Sequence, residues 1–200
     1  MRTILMLFGL LISHFLLAQN SNFKAGIYLS ISDFKANKPS IAFEQLTNKD
    51  GQRISDIDIY RKNYYRQNDS LIKLNVDAIF GYADKGIFYV KTIYQGSAYF
   101  GRLVVIGSIC HYVCLVSNNY YDPNFNQTMR TTNTLQQFIL DTETGIISVF
   151  NSQNFEELLK RDEALYNAFI SLPKKKKRNS QFLYLRKYNE AHPLLIEGIK

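Results

Sequence analysis

VDAIFGYADKGIFYVKTIY, residues 76–94, decides the reading of the fold. Two runs rich in β-branched and aromatic residues, Val76–Tyr82 and Ile87–Tyr94, flank Asp84–Lys85–Gly86. Turn residues between such runs are the signature of a β-hairpin. Towards the C-terminus, Gln95–Gly96–Ser97 predicts another turn, and Tyr99–Val116 is a long apolar stretch in which Gly101 and Gly107 mark a bulge or tight turn. Leu135–Leu140 and Ile146–Phe150 flank DTETG, residues 141–145, as a further hairpin, while Asn118–Asn133 reads as a polar loop. Towards the N-terminus, strands are expected at Ala25–Ile31 and Ile41–Leu46. A short helical turn at Ser32–Asn37, capped by Ser32, separates them. Thr47–Ser70 reads as a polar surface hairpin or meander with long loops and weak strand signals at Ile54–Tyr60.

The hydrophobic period changes near residue 150. Phe155, Leu158, Leu159, Leu165, Tyr166 and Phe169 fall at helical spacing, and Asn154 with Glu157 resembles a capping box. A second helix from about Lys176 to Ala191 carries Phe182, Leu185, Tyr188 and His192 on one side. The pattern predicts an α+β fold: an antiparallel β-rich body, sandwich- or barrel-like, followed by a C-terminal two-helix hairpin over about residues 153–191. Residues 20–200 form one domain in this reading, long enough to bury a core without covalent staples.

The chain opens with Arg2, an apolar run from Ile4 to Ala18 and polar residues from Gln19 onward. Basic end, apolar core and small residue before a polar stretch are the plan of a secretory signal peptide, so residues 1–19 are expected to direct export, with cleavage after Ala18. Fifteen helical residues span roughly 22 Å, short of the roughly 30 Å of a bilayer core. The expected location is the periplasm, the cell surface or the medium.

The formal charge of +7 is concentrated. Seven basic residues and one acid, Glu190, lie between Lys174 and Glu190; beyond Arg2 and that segment, basic and acidic residues balance. One basic segment on a neutral body is not the even cover of a nucleic-acid binder, so no nucleic acid is expected as partner. The run Lys174, Lys175, Lys176, Lys177 and Arg178 is read as a solvated connector between helices. Its candidate function is contact with an anionic surface such as lipid or acidic polysaccharide.

Catalytic candidates are few. Cys110 and Cys114 would lie on one face of a strand about 13 Å apart, given roughly 3.3 Å per residue, too far for a disulfide. They are expected as two buried thiols. Cys110 and His111 are strand neighbours and point to opposite faces, so they cannot act as nucleophile and base. Asp56 and Asp58 would share a face if their run were a strand, and a solvated strand edge is the expected reading. Neither a metal site nor a phosphate, dinucleotide or hydrolase motif is present, so no cofactor is expected. The tyrosines of NYYDPNF, residues 119–125, and YRKNYYR, residues 60–66, offer aromatic area for a binding surface.

The segments GIYLSISDFKANKPS (26–40), DTETGIISVF (141–150) and LRKYNEAHPL (185–194) resemble blocks in small secreted proteins of unknown function from Bacteroidota. The resemblance spans Phe23 to about Leu195 and implies export without assigning any active-site residue. Asp69–Ser70–Leu71 is similar to the tripeptide that envelope glycosylation in those bacteria uses. The expectation is a non-enzymatic exported protein that binds a protein partner or envelope component. Its rivals are a hydrolase-type enzyme of unfamiliar class, with His111 or His192 as its base, and a structural or assembly protein of the cell surface.

Overall fold

The computed structural model describes residues 22–61, 63–122 and 128–199. The predicted signal segment lies outside them, as do the side chains of Tyr120 and Tyr121. Six strands form an antiparallel meander: β6 (Gly81–Asp84), β7 (Ile87–Tyr94), β8 (Ser97–Val105), β9 (Ile109–Asp122), β10 (Thr128–Asp141) and β11 (Ile147–Val149). Two short strands from the N-terminal region, β1 (Gly26–Tyr28) and β2 (Ile41–Ala42), extend the sheet beyond β6 to give the order β11-β10-β9-β8-β7-β6-β1-β2. The sheet is strongly curled into a half-barrel. A second sheet of three strands contains β3 (Leu46–Thr47), β4 (Tyr64–Gln67) and β5 (Ser70–Lys73).

Turn chemistry sets the register. Lys85 and Gly86, Gln95 and Gly96, and Asn68 and Asp69 all have positive φ, the mirror-image turn geometry that matches strand twist in two-residue hairpins. The expected hairpins on both sides of Asp84–Gly86 and around residues 141–145 are present. A bulge sits at Val104, between the two glycines expected to mark it. Gly101 instead makes room in β8 for the Tyr112 ring and the Cys114 sulfur.

Several local expectations are corrected. Asn118–Asn133 is strand on both sides of residues 123–127, because Ser117–Asp122 pairs with Thr128–Asn133 in register. Its polar sequence carries no apolar alternation to mark a strand. Residues 76–78 form a 3-10 turn rather than the start of a strand, with Asn75 accepting from the Asp77 N–H. Ile54–Tyr60 is irregular, its Ile57 and Ile59 buried beneath the small sheet.

The α+β class holds, with four helices among the described residues: α1 (Ile31–Lys35), α2 (Ser152–Leu159), α3 (Glu163–Ile170) and α4 (Lys174–Ala191). Ser30, not Ser32, caps α1, in a capping box with Asp33. The first arm of the expected hairpin is divided at Asp162, whose carboxylate accepts from the Leu165 N–H and starts a new helix. Asn151 rather than Asn154 caps α2. Lys174–Arg178 is not a connector. It forms the opening turns of α4, which begins directly after Pro173, because lysine is a good helix former and proline suits a helix start.

The curled sheet is covered on both faces. One face holds Phe88, Val90, Tyr112 and Phe138 against Phe34 of α1 and Ile196 of the C-terminal tail. Asn37, in left-handed conformation and buried, joins the two ends. Its Oδ1 accepts from the Lys24 N–H (2.9 Å) and its Nδ2 donates to the Glu197 carbonyl (3.1 Å). The opposite face is covered at one end by α2–α4, over Ile109 and Ile139, and elsewhere by the small sheet, over Ile27, Tyr82 and Phe100. Between these covers it is open, where the cross-strand pair Leu115 and Leu135 is largely exposed.

Candidate functional site

Helix α4 crosses the sheet at a slot cut for it. Asn189 bonds both backbone groups of Ile109, accepting from its N–H and donating to its C=O at 2.9 Å each. The side chain thereby substitutes for a neighbouring strand where β8 has already bulged away, and Gly107 leaves it the space. One turn further, Ser108 donates to the His192 carbonyl at the end of α4. From this anchor the helix runs back towards its basic N-terminus.

The buried side of α4 consists of Gln181, Tyr184, Leu185 and Tyr188. Tyr184, Leu185 and Tyr188 join Ile109, Phe155 and Phe169 in one apolar cluster. Gln181 is the polar member of the row. It is 9% exposed, yet its Nε2 has no hydrogen-bond partner. Beside it a hollow of about 330 Å³ opens between helix and sheet, lined by Leu135, Gln137, Phe150, Arg178, Gln181 and Phe182. Gln137 Oε1 lies 3.1 Å from His111 Nε2, and the His111 ring packs edge-on against Phe150 and Phe182, with centroids 5.2 and 4.8 Å away. Burial holds His111 below its usual pKa, the Gln137 hydrogen bond offsetting this in part, and its Nδ1 has no partner.

Of the predicted anionic-contact residues, Lys177 is paired with Glu156 of α2 at 3.1 Å. Lys174, Lys175, Lys176 and Arg178 are exposed and make no ion pair among the described residues. No acid stands in the first turn of α4, and Pro173 provides no side-chain cap. Cations near a helix N-terminus oppose the macrodipole, each costing about 0.3–1 kcal/mol where exposed. The run is therefore placed against local stability.

The groups considered for hydrolysis have other attachments. Cys110 and Cys114 are free and buried on the face opposite His111. Burial pushes the thiols up to about 12 and about 11, leaving them protonated at neutral pH. His192 Nε2 is 3.0 Å from the Asp162 carboxylate at the start of α3. Asp56 and Asp58 lie in a loop, not on a strand. With Asp84, Tyr60 and the stacked pair Tyr82–Tyr89 (centroids 4.7 Å, planes 9° apart) they line a second hollow of about 300 Å³. Asp58 is bound there to Arg61 at 2.9 Å. Among the described residues no cluster of His, Cys, Asp and Glu is placed to hold a metal. No described helix is long and apolar enough to cross a membrane. Asp69–Ser70–Leu71 occupies the exposed β4–β5 turn.

Sequence reasoning missed Gln181, Gln137 and His111 as a group. They come from a helix and two strands, and only the helix crossing brings them together. Comparisons with protein-family models, curated proteins and solved structures find no match for this chain.

Proposed function

We propose that the chain is an exported binding protein that engages an anionic surface of the cell envelope through the opening turns of α4. The observation that carries this reading is the exposed cationic run at the positive end of a helix dipole, where it costs stability and has one ion pair among the described residues, Lys177–Glu156. Residues kept against local stability are expected where they serve a function. Binding is favoured over hydrolysis because the thiols are protonated and buried and each described histidine is held by packing or by a helix-capping carboxylate.

The test is sedimentation with vesicles containing phosphatidylglycerol, compared with neutral phosphatidylcholine vesicles. Each lysine near an anionic surface contributes about 1 kcal/mol, so replacing Lys174, Lys175 and Lys176 by Ala should weaken binding by about 3 kcal/mol, roughly a hundredfold. Undiminished binding of the triple variant refutes the surface contact.

A further inference from the structure

We propose that the hollow between α4 and strand β10 binds a small amphiphile carrying an oxyanion, of which a medium-chain carboxylate is the simplest representative. Three features of the hollow fit such a ligand. The first is a buried donor without an acceptor: Gln181 lines the hollow, and its Nε2 finds no hydrogen-bond partner among the described residues. The second is Arg178 on the same wall, exposed and without a carboxylate among the described residues. The guanidinium and the unpartnered amide N–H are donors that suit a carboxylate, and the guanidinium charge disfavours an ammonium group although glutamine oxygens also line the hollow.

The third feature is apolar. Leu135 is 74% and Phe182 48% exposed, and both line the hollow beside Phe150. Beyond the Leu135 side lies its strand partner Leu115, 58% exposed, which continues the apolar floor along the uncovered part of the sheet. An oxyanion alone would satisfy the donors and leave these side chains wet; a neutral hydrocarbon would do the reverse. An acyl chain lying over Leu135 and Leu115, with its carboxylate at Arg178 and Gln181, satisfies both. At about 330 Å³ the hollow is at the small end of ligand sites, so the ligand is compact. The proposal goes beyond the surface contact and stands without it, since Lys174, Lys175 and Lys176 do not line the hollow.

Isothermal titration of the purified full chain with octanoate, octan-1-ol and octylammonium tests it. Octanoate should bind saturably at one site, and the other two at least tenfold more weakly. Arg178→Gln and Gln181→Met should each weaken octanoate at least tenfold, and the Gln181 side-chain amide resonances should shift on binding. The melting temperature of ligand-free Gln181→Met should hold or rise, because an unmet buried donor is removed. Octanoate bound no tighter than octanol overturns the proposal. So does unchanged octanoate affinity in both variants, or a Gln181→Met protein that melts lower yet binds octanoate as before. If the triple lysine variant loses vesicle binding and retains octanoate binding, the hollow is a separate site from the surface contact, as proposed.

Discussion

Asp141 shows how a single buried carboxylate organises the corner where sheet and helices meet. Only 2% exposed, it accepts from both Arg161 nitrogens at 2.6 and 2.9 Å, from the Thr144 hydroxyl and from the Glu143 N–H. Burial alone raises its pKa, but the hydrogen bonds of Arg161, Thr144 and Glu143 outweigh that effect and hold it below the usual value. Such a group stabilises the fold above its unfolded pKa of about 3.9, and the contribution is lost as pH falls through the lower folded value. Breaking a buried pair costs about 3–5 kcal/mol; because the Arg161 side chain is about one-third exposed, Asp141→Asn should cost nearer 2–3 kcal/mol at pH 7 in urea denaturation. The acid limb of the stability curve below pH 4 should flatten in the same variant. His111 acts in a different window and by a different route. Its folded pKa is lowered, so between that value and about 6.5 the unfolded chain binds more protons than the folded one, and stability falls as pH drops through this range. His111→Gln should remove that slope below about pH 6.5 while leaving the Asp141 limb in place.

At the scale of elements, α4 is fixed to the sheet by a side chain acting as backbone. Asn189→Ala removes both bonds to Ile109 and leaves that peptide unpaired under the helix, a loss of about 1–3 kcal/mol per buried group left unsatisfied. Urea denaturation should show this loss, and amide exchange at Ile109 should accelerate selectively. Gly107→Ala should act in the same direction, since its Cβ would collide with the Asn189 amide. The elements differ in how legible they are in sequence. The meander from β6 to β8 follows from turn residues at Asp84–Gly86 and Gln95–Gly96, where chemistry and register coincide. The small sheet was not legible, because β3 is two residues long and its pairing depends on distant β4. The division at Asp162 was not legible either, because Leu158, Leu165 and Phe169 keep a helical rhythm across it. The chemistry of Lys174–Arg178 was evident from composition, but its helical placement was not, since a run of lysines has no apolar stripe to mark a face. Gln181 gave no signal, because its significance comes from a strand face more than forty residues away.

The described residues form a curled sheet with covers at both ends of one face and, on the other, Phe23 and Phe34 packed with Ile196. Beyond Arg2 and α4 the charge is balanced, so the proposed electrostatic attachment would have one orientation: α4 towards the anionic surface. Raising ionic strength from 0.05 to 0.5 M should release the wild-type chain from anionic vesicles, and should affect octanoate binding far less, because the partly enclosed hollow is screened less than the lysines. On the other face, Ile196 is 7% exposed and belongs to the same cluster as Phe34. Ile196→Ala should therefore cost about 2–5 kcal/mol, as for a central core position, and should lower the single cooperative transition rather than fray the tail alone.

The Asn37–Glu197 bond spans 160 residues. A ribosome adding roughly 5–20 residues per second needs roughly 10–30 s to traverse that interval. Throughout it the N-terminal strand and α1 wait for the segment that will seal them, and loop closure over such a distance is among the slow steps of folding. Until residue 197 has been made, the bond from Asn37 to Glu197 cannot form and Ile196 cannot join the cluster of Phe34. If the proposed export passes the chain through a narrow pore before it folds, a lock whose two halves are synthesised so far apart would give it time.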